Sequence, residues 1–167
     1  MIYKSIAIDG PAASGKSAVG KLLAEKLSYS FLDTGIMYRA VTYLVEEINI
    51  TPEKASSYFK GTQITINLSN LRNQIFYKNN DITDKLFTDK IDSKVSDYSK
   101  IKLVRENLVL QQKKIAQATN IVMVGRDIGT KVLPKSDLKI YLDASLVTRA
   151  LRRVKDQTEL TIEEVKK

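Results

Sequence analysis

The alternation of apolar and polar positions divides the chain into recognisable elements. The run Ile6-Ala7-Ile8 predicts a buried strand over 3–9. Val19, Leu22, Leu23 and Leu27 recur at helical spacing and predict an amphipathic helix over 16–28. Phe31-Leu32 reads as a short second strand, and Met37, Val41, Leu44, Val45 and Ile48 carry a helix that starts at Asp33-Thr34-Gly35. The strand–helix–strand–helix order implies a parallel sheet with helices on its faces.

The pattern changes after Pro52. Gln63 to Leu68 alternates polar with apolar, and Gln74 to Tyr77 follows before the turn Asn79-Asn80-Asp81. A small antiparallel meander inserted into the α/β order is the natural reading. Helices are predicted over 84–98 and 101–118, a buried strand over 121–124, a further strand over 138–142, and helices over 145–155 and 160–167. The expected organisation is a core of 1–50 and 119–167, with 51–118 as the insert.

Between the first strand and its helix stands Gly10-Pro11-Ala12-Ala13-Ser14-Gly15-Lys16-Ser17, followed by Ala18. It fits the phosphate-loop pattern G-x-x-x-x-G-K-[ST] in the required strand–loop–helix context. Such a loop turns backbone N–H groups inward and sets the positive end of a helix dipole against phosphate. Lys16 is expected on the β- and γ-phosphates of ATP, and the Ser17 hydroxyl on Mg²⁺. A glycine-rich turn can also join strand to helix without a ligand, but all four fixed positions match here.

Composition narrows the chemistry. There is no histidine and no cysteine, which removes imidazole bases, disulfides and thiolate metal sites. No apolar run approaches the roughly 18 residues of a membrane span. No signal-like segment precedes the first strand, so a cytoplasmic location is expected. A formal charge of +8 raises nucleic-acid binding as a class. The lysines are scattered from Lys4 to Lys167 without a basic block, so no nucleic-acid partner and no membrane partner is expected.

Three arginine segments follow strands: Asp33 to Arg39, Gly125 to Thr130, and Arg149-Ala150-Leu151-Arg152-Arg153. Ligands of open parallel sheets lie beyond the carboxyl ends of the strands. Arginine forks grip phosphate in two-point fashion. Arg39 and Arg126 beside a phosphate loop therefore suggest a second, accepting phosphate. Ion pairing with Asp33 or Asp127 is the competing reading.

Taken together, G-P-A-A-S-G-K-S, L-D-T-G-I-M-Y-R-A-V-T and G-R-D-I-G-T resemble the bacterial cytidylate kinases, collinearly from about Ile6 to Arg153. The resemblance implies a P-loop NTPase-like three-layer fold, and ATP-dependent phosphorylation of CMP and dCMP by a monomer. It puts Arg39 and Arg126 on the acceptor phosphate, with Thr34 beside them. It makes Ser96, Arg105 and Asp127 readers of the cytosine edge, with Lys16, Arg126 and Arg152 as the catalytic cations. Mg²⁺ is implied with ATP.

Two departures stand out. Val124 occupies a position where the family carries an acid, which implies weaker metal positioning. A lid and strand of about 40 residues are expected to be missing near 154–158. That leaves Arg149, Arg152 and Arg153 as the only inheritors of the lid's arginine roles. Other readings are a different small-molecule or nucleotide kinase on this fold, or a lid-less nucleotide-binding module without turnover.

Overall fold

The computed structural model describes residues 4–68 and 72–156. Its central sheet is parallel, built from β1 (Ser5–Asp9), β2 (Ser30–Asp33), β6 (Ile121–Gly125) and β7 (Leu138–Tyr141) in the order β2-β6-β1-β7. β1 pairs with β6 from Ser5–Ile121 to Asp9–Gly125, and β2 pairs with β6 from Ser30–Ile121 to Asp33–Val124. This register brings Asp9, Asp33 and Gly125 to one edge of the sheet, where all strands end.

Period-2 alternation divides the core in two. Ile6, Ile8, Phe31, Val122 and Val124 face α1 (Lys16–Leu27). Ala7, Leu32, Ile121 and Met123 face the other way, towards α2 (Gly35–Ile48), α3 (Pro52–Ser57), α4 (Asp89–Lys100) and α5 (Lys102–Ala116). The second cluster also takes in Ile64 of β3 (Ile64–Asn67) and Ile75 of β4 (Gln74–Tyr77). Those two strands and β5 (Asn80–Asp81) form the antiparallel sheet read from the 63–77 alternation. α6 (Leu146–Asp156) follows β7. These are the layers of a P-loop NTPase-like α/β fold.

Several elements differ from the sequence reading. The buried positions of α1 are Gly20 and Ala24, while Val19, Leu22 and Leu27 are exposed. A Cβ on Gly20 would lie 2.6 Å from Val124 Cγ1 and 2.9 Å from Phe31 Cε2. The bulk sits on the sheet, so the helix must offer small residues to approach it. The helix expected over 84–98 is two pieces. A 3₁₀ turn spans Thr83–Leu86, and α4 starts only after Thr88, whose hydroxyl accepts from the Ile91 N–H at 3.4 Å. Phe87 lies between them with φ −118° and ψ 60°, outside helical geometry. The short α3, absent from the sequence reading, has Pro52 at its start and a Thr51 cap. A π-turn, Ile128–Val132, follows β6. The helix expected over 160–167 lies outside the described residues. So does part of the interruption expected near 154–158, and α6 is continuous to Asp156.

One side chain ties the insert to the sheet. Asn73 is buried at the outer edge of β2, where its Oδ1 accepts from the Asp33 N–H at 2.6 Å and its Nδ2 donates to Phe31 O at 2.6 Å. The amide thus stands in for a neighbouring strand. Asn73→Ala would leave a strand N–H and a C=O without partners, a cost of about 1–3 kcal/mol. For a chain of this size that is roughly a 2–12 °C fall in Tm. An unchanged melting curve would show that β2 does not depend on this contact.

Candidate active site

The phosphate loop takes its shape from two glycines. Gly10 lies at φ +153°, and a Cβ there would stand 2.0 Å from Leu142 O. Gly15 lies at φ +99° and precedes the first residue of α1. Lys16 folds back over the loop, with Nζ donating to Pro11 O at 2.5 Å and reaching Ser14 Oγ at 3.4 Å. Burial lowers the Lys16 pKa, opposed by Asp33 and Asp9 and reinforced by Arg126. Its ammonium is partly desolvated, which suits it to meet an anion.

Ser17 Oγ donates to Asp33 Oδ2 at 2.5 Å, and the other carboxylate oxygen accepts from the Gly35 N–H at 3.0 Å. Asp9 accepts from the N–H groups of Ile128 and Gly129 at 2.6 and 2.8 Å. That pair of bonds fixes the turn after Gly125-Arg126-Asp127 against the start of the loop. Neither aspartate was foreseen as part of the site. Their signals were positional: Asp9 directly precedes the loop, and Asp33 opens the segment that leads to Arg39.

These elements enclose one cleft of about 1490 Å³. Residues 12–18 line its donor end; Thr34, Arg39, Ser96, Arg105, Arg126 and Asp127 line the rest, and Arg152 lies over the loop. Of the expected loop residues, Gly10 and Pro11 stand behind this lining. Arg126 is exposed and makes no ion pair among the described residues. Arg152 Nη1 donates to Ala13 O at 3.1 Å, whereas Arg149 Nε donates to Ala144 O at 3.2 Å within its own helix start. Of the two, only Arg152 reaches the loop.

Four expectations change on contact with the geometry. Thr34 is buried, and its hydroxyl donates to Val124 O at 3.0 Å, so its proton is committed to the sheet and not to an acceptor phosphate. Arg105 and Asp127 were read as separate contacts to a base, but they are ion-paired with each other. Arg39 is paired with Asp92 and lies 5.0 Å from the centre of the Phe87 ring. Val124 is fully packed against α1, so it fills core volume instead of facing a metal.

Sequence reasoning also missed Tyr38 and Gln112, which share the cleft wall. Burial raises the Tyr38 pKa; nearby Arg105 opposes this and Asp127 adds to it. The Gln112 side chain lies near enough to lower the Tyr38 pKa, yet its buried Nε2 completes no hydrogen bond of good geometry. The phenol therefore stays neutral and can donate.

Among the described residues no cluster of three or more acidic, His or Cys side chains could hold a metal alone. Ser17 and Asp33 do offer two oxygen donors beside the loop. That set suits a hard divalent ion that takes its remaining ligands from phosphate and water. Among the described residues no helix is long and apolar enough to cross a membrane.

Comparison with known proteins gives the family. The cytidylate kinase family profile matches residues 6–167. The cytidylate kinase of Bacillus subtilis (strain 168) is 44% identical over 158 residues, covering 93% of this chain and 70% of that protein. That of Enterococcus faecalis is 45% identical over 163 residues, covering 95% and 72%. That of Alkaliphilus oremlandii is 44% identical over 173 residues, covering 100% and 78%. All of this chain falls within those 173 positions, so the extra length of the Alkaliphilus protein lies outside the matched span. An interruption of some 40 residues inside that span has no room.

Proposed function

The chain belongs to the cytidylate kinase family, and from that membership together with the cleft we infer that it transfers the γ-phosphoryl group of ATP to CMP and dCMP. The observation that carries the reading is the single cleft joining the loop around Lys16 to Arg39, Arg126 and the Arg105–Asp127 pair. A triphosphate site and a second cationic site open into the same space, as direct transfer between two nucleotides requires.

The acceptor phosphate oxygen is already anionic, so no general base is needed. It attacks the γ-phosphorus in line as the bond to the β-phosphate oxygen breaks, and ADP leaves. Catalysis is then positioning and charge neutralisation. Lys16 exchanges Pro11 O for the β- and γ-phosphates, Arg126 grips the acceptor phosphate, and Arg152 approaches the transferring group from above the loop. Ser17 and Asp33 would hold Mg²⁺. When bound, that ion neutralises charge on the phosphate oxygens. The same reading places the enzyme in the cytoplasm, where ATP is made and used.

Cytosine presents an amino donor where uracil presents a carbonyl. A carboxylate at Asp127, held by Arg105, accepts from the first and repels the second. A substrate panel tests the whole reading: CMP and dCMP should be phosphorylated with higher kcat/KM than UMP or AMP. Faster transfer to either of the latter would overturn it. Asp127→Asn keeps the shape and the bond to Arg105 but loses the charge. The CMP-to-UMP ratio should fall about 5- to 100-fold, from the roughly 1–3 kcal/mol of a mismatched polar contact. A constant ratio would remove Asp127 from base recognition.

A further inference from the structure

The two acceptor-side arginines that lie closest to the insert are both neutralised from within the protein. Arg105 has Asp127, and Arg39 has Asp92. The second pair differs in kind. Asp127 lines the cleft, where it can meet a ligand, whereas Asp92, on α4, is not part of the cleft wall. Arg39 Nη1 donates both to Asp92 Oδ1 and to Leu86 O, the latter at 3.0 Å. Two-point binding of phosphate by a guanidinium needs two parallel N–H groups. One of the two terminal nitrogens is committed elsewhere.

We propose that Asp92 is an internal competitor for Arg39, so that the acceptor's phosphate must take the guanidinium from a carboxylate, and that this exchange sets the affinity for the acceptor nucleotide. The inference rests on the proposed kinase reading. The charge argument is direct. Arg39 and Asp92 are each about a quarter exposed, so their interaction is only partly screened. A phosphate arriving at Arg39 also meets the like charge of Asp92 close by. Among the described residues Arg126 has no such partner, which makes it the first anchor and Arg39 the second.

Two further contacts keep the exchange local. Leu86 O and the face of Phe87 hold the guanidinium independently of the carboxylate. Losing Asp92 therefore frees Arg39 of its counter-charge without letting it wander. Asp92 and Ser96 are four residues apart on α4, and so share a face of that helix. Ser96 lines the cleft. α4 is also tied to α2 by Lys90 Nζ, which donates to Glu47 Oε1 at 2.8 Å and to Glu46 O at 3.3 Å, and by Tyr98 Oη to Glu46 Oε1 at 2.6 Å, all away from the cleft.

The test is CMP binding by calorimetry, with KM for CMP and ATP measured alongside. Asp92→Asn removes the charge and keeps the volume. It should tighten CMP binding and lower KM for CMP roughly three- to tenfold, with KM for ATP unmoved. Asp92→Ser, which also removes the charge, should behave alike, and Asp92→Glu should stay within about twofold of the wild type. If Asp92 merely orients Arg39 for its phosphate, both neutral variants will bind CMP more weakly. Unchanged or weakened CMP binding in both neutral variants, with a wild type that does bind CMP, overturns this inference alone. A wild-type protein that binds no CMP overturns both this inference and the kinase reading.

Discussion

Lys16→Ala should lower kcat for CMP phosphorylation by at least about 10²–10³, the usual cost of deleting one preorganised group that stabilises transition-state charge. The structure says why no neighbour can replace it. Arg152 lies above the loop, at Ala13 O, away from the place Lys16 occupies beside Pro11, and Arg126 lines the acceptor part of the cleft. The same structure predicts that folding stability will not fall with activity. Burial already disfavours the Lys16 ammonium and lowers its pKa, and its near contacts are a carbonyl and a hydroxyl of its own loop. Removing it relieves a desolvated charge. The check is kcat by steady-state assay together with Tm by calorimetry. Turnover within about tenfold of wild type, roughly 1.4 kcal/mol of barrier, would mean that the loop does not hold the transferring phosphate.

Gly10→Ala should do the opposite and strike the fold first. The added methyl would meet Leu142 O at 2.0 Å and Ser14 Oγ at 3.2 Å, at a φ of +153°. Leu142 cannot withdraw freely, because its N–H donates to Asp9 O at 2.8 Å and fixes β7 against β1. Overpacking and a backbone conformation that L residues rarely adopt together cost about 3 kcal/mol or more. In a chain of this length that is about 6–12 °C in Tm. ATP affinity should fall as well, since the loop begins at this residue. A variant that melts with the wild type would show that the contact between the loop and β7 is not as close as described.

What the sequence made legible was local. The loop, its flanking strand and helix, and the strand before Gly125-Arg126-Asp127 are contiguous, so spacing and apolar runs suffice to read them. The antiparallel insert declared itself through the alternation at 63–68. What was illegible depends on partners far away in the chain. Asp9 meets Ile128 and Gly129, and Asn73 meets Phe31 and Asp33. Nothing in the local pattern announces either. The apolar periodicity of α1 misled for a related reason. Which face is buried depends on Phe31 and Val124 beneath it, whose bulk selects Gly20 and Ala24 over Leu22 and Leu27, with Leu23 at the margin.

The same limit applied to the charges. Arg39, expected near the loop from its place after a strand, and Arg105 and Asp127, expected there from the resemblance, line one cleft. Their pairing was not readable, because Asp92 sits 53 positions from Arg39 and carries no motif of its own. Thr34 is a further case: the resemblance placed its hydroxyl beside the acceptor phosphate, and here that hydroxyl donates to Val124 O, holding the end of β2 to β6.

The central claim is that both nucleotides occupy one cleft and the phosphoryl group passes directly between them. Phosphorus NMR of a mixture of ATP, CMP, Mg²⁺ and the protein tests it most directly. ADP and CDP should rise together in equal amounts, with no inorganic phosphate beyond the background of ATP alone. ATP that persists, or ADP that appears with inorganic phosphate instead of CDP, would contradict it.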